Sequence, residues 1–480
     1  MNAINLGVIL TLAVILLWLS FTKPKVTLLL AIFLTPWTID FDVGLRVTVF
    51  QIVLVALLVT LFLKTNISRS SKANTPIRPI FIIFMVYAVF WSIVQIPFLP
   101  EAQVTGGGWR SPVYRALFQI PQFFLTLLPI FVVPRLFHSQ RDLISAGRIY
   151  IQSAVTLAII GWMQVLIWFA TGWNPIPGGW SNSLLSGTAV RESLGTFNLA
   201  GLTIMRMSSF GGEPKGLGQG LTLAVLLIQT IYLIDKKAIN RRIKFIWFFL
   251  IVSTFMTMSS SAFLVWFIGT LVLLVFGSAK PLFSSSSRTS KITSYLAILF
   301  LFILIVIPII TYDPDKSSDD NLVSGLIYER TVGRGIVEDY DDAVISYLRE
   351  HPLQTMFGVG LGNIHLYADA YLAPEILHYA AGAAFVAKSG YLRLISELGI
   401  IGLVIFVYWT WRQKKILDRT ISKNSLIQSD LLAYQILSVF VLIALFAFLA
   451  RGGYIAPQFY ITLGLCVAAR TMLFRDHHYN

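Results

Sequence analysis

One cysteine, Cys466, stands in a chain of 480 residues, so no intramolecular disulfide can form and no thiolate cluster can hold a metal. It lies in an apolar run near the carboxyl end, where a small core residue is its ordinary role. Charge is scarce too: Asp, Glu, Lys and Arg together make up 12% of the residues, against roughly a quarter in a soluble domain. With 56% hydrophobic residues and a mean hydropathy of +0.75, that scarcity excludes an ordinary soluble globular chain. Repeats of solenoid length and long low-complexity tracts are lacking, which excludes a stacked array. The six histidines include His351, His365 and His378, spaced too irregularly to read as a metal site.

Long apolar runs are what the chain does have. Runs of about 18–22 residues suit helices that cross a hydrocarbon layer of roughly 30 Å, not the short alternating strands of a barrel. They predict spans near 4–22, 26–39, 46–63, 79–98, 117–134, 149–170, 216–234, 245–258, 261–277, 293–311, 390–411, 431–450 and 455–470. The fold expected is all-α, a polytopic transmembrane helical bundle of about 13 helices. Residues 1–480 read as one integral membrane domain with two large extracytoplasmic loops, 172–215 and 312–389. The first run, Ile4 to Phe21, has no small-residue cleavage site after it and reads as a retained helix.

The net charge of +14 follows topology and does not point to nucleic acid. Basic residues cluster in alternate short loops, such as Arg135–Arg148 and Lys236–Lys244, while acids concentrate in the others. About 24 Lys and Arg fall on one side and about 13 on the other, with acids dividing roughly 5 to 18 the opposite way. That asymmetry puts the amino terminus outside, the carboxyl terminus inside, and both long polar loops on the outer face. A site outside the cytoplasmic membrane has no ATP or nucleotide sugar, so its substrate should arrive already activated, on a lipid carrier.

In the first outer loop the dense passage is Arg206-Met207-Ser208-Ser209-Phe210-Gly211-Gly212-Glu213-Pro214-Lys215. Pro214 is suited to the first position of a helix, which would set Glu213 and Lys215 beside backbone N–H groups able to hold an anion. The plainer alternative is a Gly/Pro turn whose charges face water. Between adjacent apolar runs, Met258-Ser259-Ser260-Ser261-Ala262 reads as either a tight turn or a polar kink in re-entrant helices.

In the large loop, Asp313-Pro314-Asp315 opens like a calcium loop, but Ser318 and Ser324 occupy the places where that motif needs Gly and Glu. Ile336, Ala343, Val344, Tyr347 and Leu348 recur at helical spacing, predicting an amphipathic helix over Arg334 to Glu350, at or above the outer surface and stopped by Pro352. Arg330 and Arg334 lie one turn apart, so both guanidinium groups share a face and could grip a diphosphate. Their alternative is salt bridging to Glu329, Glu338 or Asp341. Gly358-Val359-Gly360-Leu361-Gly362-Asn363 reads as a glycine-rich turn without the strand and helix of a nucleotide fingerprint. Lys388 stands where the chain returns to the membrane. Arg393 and Glu397 follow at i,i+4 spacing, placed to pair at membrane depth.

Together these passages resemble the superfamily of O-antigen ligases and O-antigen or exopolysaccharide polymerases. The resemblance rests on Arg206-x-x-Ser209-Phe210…Glu213-Pro214, on Arg330 and Arg334 ahead of His351-Pro352-Leu353 and the glycine turn, and on Lys388-Ser389 followed by Gly399 and Gly402. It implies a bacterial inner-membrane glycosyltransferase, metal-independent, cofactor-free and inverting, that takes glycan from a polyprenyl diphosphate carrier. Arg206, Lys215, Arg330 and Arg393 are then candidate binding residues for the diphosphate or substrate, and Glu213, Arg334 and Lys388 candidate catalytic residues. Partners would be the carrier-linked oligosaccharide, membrane lipid and a chain-length regulator. Where ligases of this family carry histidine the chain has Lys388, a charge suited to phosphate, which favours a polymerase over a ligase. A flippase or a scaffold for other polysaccharide enzymes are the readings from other classes.

Overall fold

The computed structural model describes residues 3–42, 46–67, 79–100, 112–175, 196–199, 202–211, 214–278, 339–372, 387–423, 428–448 and 456–478. These form an almost entirely helical chain of fifteen α-helices. Before residue 176 come α1 (Ala3–Thr22), α2 (Pro24–Leu34), α3 (Val49–Ile67), α4 (Pro79–Gln95), α5 (Pro112–Leu136) and α6 (Gln140–Thr171). Next come α7 (Pro214–Ile234), α8 (Arg241–Met256) and α9 (Ser260–Ser278), then the short α10 (Asp339–Glu350), α11 (Pro352–Phe357) and α12 (Ile364–Ala368). The last three are α13 (Gly390–Lys423), α14 (Gln428–Ile443) and α15 (Pro457–His478). Two short antiparallel hairpins accompany them, Asp40–Asp42 with Arg46–Thr48 and Thr196–Leu199 with Leu202–Met205. Every span expected from the apolar runs overlaps one of these helices, except 293–311, which lies outside the described residues; the bounds differ most at α2, which ends at Leu34, at α6, which starts at Gln140, and at α13, which runs on to Lys423.

Among the described residues five helical stretches are long and apolar enough to cross a membrane, which marks the chain as a membrane protein. They are Ile80–Phe98, Ala116–Leu136, Gln140–Thr171, Pro214–Ile234 and Gly390–Ser422. Their ends follow local chemistry. Ser139 caps α6 by accepting the Asp142 N–H while the Asp142 carboxylate takes the Ser139 N–H, a reciprocal capping box. Lys25 at the start of α2 closes on the same carboxylate at 3.1 Å. Pro214 and Pro457 each open a helix, where a missing N–H costs nothing.

The largest core cluster runs from α1 to α7 and through α9, α13, α14 and α15. Without water, helices in a membrane associate by close packing, and small residues let backbones approach. Gly464 of α15 shows this: a Cβ there would lie 2.5 Å from the Pro129 carbonyl oxygen of α5. A second cluster joins α6, α7 and α8, and a third gathers α10 and α12 with Ala387.

One helix is interrupted. At Gly399 (φ 72°, ψ 177°) α13 breaks into two pieces, which strands the Ser396 and Glu397 carbonyls that residues one turn on would otherwise cap. The Val359 N–H donates to Ser396 O and the Gly360 N–H to Glu397 O, each at 2.9 Å. The two backbones touch. A Cβ on Gly399 would sit 2.1 Å from the Met356 oxygen, and one on Gly358 (φ 82°) 2.3 Å from the Glu397 oxygen. Tyr87 of α4 seals the crossing by sharing its hydroxyl proton between Leu398 O at 2.9 Å and Phe357 O at 3.1 Å.

Gly399→Ala should therefore cost about 2–5 kcal/mol through combined strain and clash. In Gly147→Ala, the new Cβ meets only Leu227 Cδ2, at an ordinary 3.7 Å, inside α6. That variant should gain up to about 1 kcal/mol. Thermal unfolding of both in one detergent checks this; equal midpoints for Gly399→Ala and the unaltered chain would remove the crossing from the stability argument.

Candidate functional site

The site with the most chemistry lies where α13 begins. Its support starts with α10, whose Ala343, Val344, Tyr347 and Leu348 are buried among Val359, Ile364, Ala368, Leu372 and Ala387. Of the expected amphipathic helix, Asp339–Glu350 is described, and its apolar face packs onto the following loop and α12. The spacing was legible, but its partner was not. The helix ends at Glu350, ahead of Pro352 as expected, and Pro352 then opens α11, where its fixed φ favours helix. The aromatic centre is Tyr347, stacked on His351 at 4.3 Å with Tyr367 and Tyr371 beside it. Burial, with those two phenols alongside, raises the Tyr347 pKa, so it stays neutral.

Asp341 ties this unit to α13. The carboxylate is buried at 4% exposure, and its Oδ1 accepts the Lys388 backbone N–H at 2.6 Å. A carboxylate ahead of a helix also meets the positive end of the helix dipole. Asp341 is thus a clamp at the start of α13. The Lys388 ammonium lies 5.4 Å above the Tyr340 ring, in cation–π range, so successive residues of α10 fix both the backbone and the side chain of Lys388.

One turn into α13, Arg393 Nε donates to Glu397 Oε1 at 2.8 Å, with side chains 13% and 0% exposed. Taking two charges from water costs several kcal/mol per ion, and mutual attraction offsets that only in good geometry. Glu397 is held on its far side by the crossing, since its own carbonyl accepts the Gly360 N–H. The Tyr460 ring of α15 is fully buried close enough for both charges to act on it. Lys388 and Arg393 thus stand at successive levels of one helix start, each oriented by an acid in a different way.

The Arg206 passage is built elsewhere. Gln164 of α6 accepts the Ser208 and Ser209 N–H groups at 3.2 and 2.8 Å, and Met207 N–H donates to Met256 O at 3.0 Å. Trp37 stacks on Phe210 at 5.6 Å. Arg206 itself donates through Nε and Nη2 to the Thr257 and Met258 carbonyls, both at 3.2 Å. Those residues are the tight turn between α8 and α9, with Met258 at φ 47°, so the serine-rich break is a turn and not a kink. Lys215 is the second residue of α7. Glu213, Arg330 and Arg334 lie outside the described residues.

Sequence reasoning missed three contributors. Gln164 and Tyr87 sit in apolar runs that give no sign of reaching a distant backbone. Asp341 read as an arginine partner, although a lone acid on an otherwise apolar helix face was a signal. The Arg393–Glu397 pairing was visible in its spacing, and the structure adds that Glu397 is wholly buried.

Comparison with protein-family models and with curated proteins gives no match.

Glu397→Ala would remove the carboxylate that Arg393 Nε donates to and should lower stability by about 3–5 kcal/mol. Arg393→Met combined with Glu397→Leu should recover most of that loss, since neither charge remains to be desolvated. Unfolding midpoints of the two variants decide it; a double variant as unstable as Glu397→Ala would mean that the pair contributes through packing.

Proposed function

We propose that the chain is a polysaccharide polymerase of the bacterial inner membrane, transferring glycan from a polyprenyl diphosphate carrier to a carrier-linked repeat unit at the outer face. The observation that carries this reading is the pair of cations at the start of α13. Lys388 is held by Asp341 and Tyr340, and Arg393 by the fully buried Glu397. A helix start of this kind suits a substrate whose anionic group sits at the membrane surface and whose tail stays in lipid. Polyprenyl diphosphate sugars have that form.

In such a transfer the acceptor hydroxyl oxygen forms the new bond to the anomeric carbon as the bond from that carbon to the phosphate oxygen breaks. The electron pair leaves with the diphosphate, which remains on the carrier. Charge gathers on the departing oxygen, so cations positioned beforehand stabilise the transition state more than the ground state. Lys388 and Arg393 are assigned that role, with Arg330 and Arg334 joining them from the large loop. Glu213 is assigned the acceptor proton, as a carboxylate at a helix start. Arg206, engaged with the α8–α9 turn, is assigned to shaping the first loop, and Lys215 to the substrate.

The test is the length profile of carrier-linked and surface glycan in cells lacking the chain, complemented with the intact sequence or with variants. Single repeats on the carrier, lengthened only by the intact chain, support a polymerase. Long chains that stay on the carrier support a ligase, and repeats trapped on the inner face support a flippase. Lys388→Ala and Arg334→Ala should each reduce long glycan by about 10²-fold at unchanged protein level. Normal long glycan in either would remove that residue from the site.

A further inference from the structure

The glycine crossing lies deep along α4, and its depth points to a contact that the site itself does not need. Tyr367 donates to the Phe98 carbonyl at 3.2 Å, which places α12 at the end of the α4 span. The crossing is reached from further in: Tyr87 bonds Phe357 O and Leu398 O, Trp91 Nε1 donates to Gly358 O at 2.9 Å, and Ser92 accepts the Leu361 N–H at 3.0 Å. At 1.5 Å per residue, Ser92 lies about 9 Å and Tyr87 about 16 Å inward from Phe98. That is the middle of a span built to match roughly 30 Å of hydrocarbon.

The backbone is made for that depth. Hydrocarbon offers no hydrogen bonds, so irregular chain survives there only if protein groups satisfy it. Between Phe357 and Leu361 they do. The N–H groups of Gly358, Val359, Gly360 and Leu361 go to Gln354 O, Ser396 O, Glu397 O and Ser92 Oγ. The carbonyls of Phe357, Gly358, Val359 and Gly360 take Tyr87, Trp91, the Asn363 side chain and the Asn363 N–H. Even Thr355 turns its hydroxyl back onto the Leu348 and His351 carbonyls.

One edge of this element remains uncovered. Leu353 is 71% exposed, and Met356 and Phe357 are exposed beside it. A ring contact of 5.3 Å joins Phe357 to Trp91, and the outward residues of α4 next along, Val86, Phe90 and Ile93, are exposed as well. Through the Phe357–Trp91 contact, the apolar edge therefore continues the apolar stripe of a membrane-crossing helix.

We propose that residues 352–361 are a re-entrant element at membrane depth, and that Leu353, Met356 and Phe357 are an interaction surface for the acyl chains of the bilayer. The occupant is lipid because the edge is continuous with the exposed apolar stripe of a span, and because the backbone beneath it already has protein partners for its polar groups. This does not depend on the catalytic reading.

The experiment is site-directed spin labelling of the full chain in phospholipid vesicles, in a Cys466→Ser background. Single cysteines replace Leu353 or Met356, with Phe90→Cys as the lipid-exposed reference and Asp342→Cys, on the exposed side of α10, as the water-exposed one. Each labelled variant is first checked for a monodisperse peak. Collision with oxygen and with a water-soluble nickel chelate is then measured. High oxygen and low nickel accessibility at both positions, matching Phe90, is the expected result. Nickel accessibility matching Asp342 at either position overturns the proposal, placing the element in water. Low accessibility to both reagents also overturns it, showing the edge to be covered by protein such as a second copy of the chain.

Discussion

A helix that breaks inside hydrocarbon must find donors for the carbonyls it strands, because the surroundings supply none. At Gly399 the donors come from the loop after α11, and the contact is so close that glycine is required on both strands of the crossing. Much follows from this one meeting. It fixes the first piece of α13 at an angle to the second, closes the turn after Phe357, and draws α4 against both through the Tyr87 hydroxyl. Each bond replaces water that was never available, so each is worth more than its counterpart at a wet surface.

The crossing also orders the charges. Glu397 contributes its carbonyl to the loop and its carboxylate to Arg393, so backbone and side chain are anchored in opposite directions. Asp341 acts on the preceding turn from a different element. A cation at the membrane surface would ordinarily sample many rotamers and lose entropy on gripping an anion. Here most of that ordering is in place before any substrate arrives, which is the physical merit of the proposed site.

Helices were legible in the sequence because lipid imposes length and apolarity on each segment separately. The chain's local patterns therefore announce α4 and α7 with little error, whereas α6 begins at Gln140, well before the apolar run that marked it. Interruptions were not legible in the same way. Ile400 and Ile401 continue the apolar run straight through Gly399, so hydropathy sees one helix where the backbone makes two. Pro352 read as a stop, and α10 does end before it, but proline begins helices as well as ending them, and that a new one, α11, starts there was not legible. Of the site, the spacing of Arg393 and Glu397 was enough to pair them. The positions of Arg206 and Asp341 depended on carbonyls and amides many residues away, about which composition is silent. Arg206 was read for its charge, whereas its guanidinium lies along a turn whose geometry no pattern encodes.

Tyr87 and the carbonyl it binds at Phe357 are 270 residues apart in the chain. A polypeptide inserted from its amino end therefore carries a tyrosine and a tryptophan of α4 in the bilayer long before their acceptors are synthesised. Until residues 357–358 have been made, those donors must be satisfied by transient neighbours or go without a partner in lipid. The crossing thus records whether insertion has run nearly to completion. A chain truncated before residue 357 would keep its early spans and lack every acceptor that Tyr87 and Trp91 use, so it would display, in the middle of the membrane, unsatisfied groups of the kind that membrane quality control can recognise.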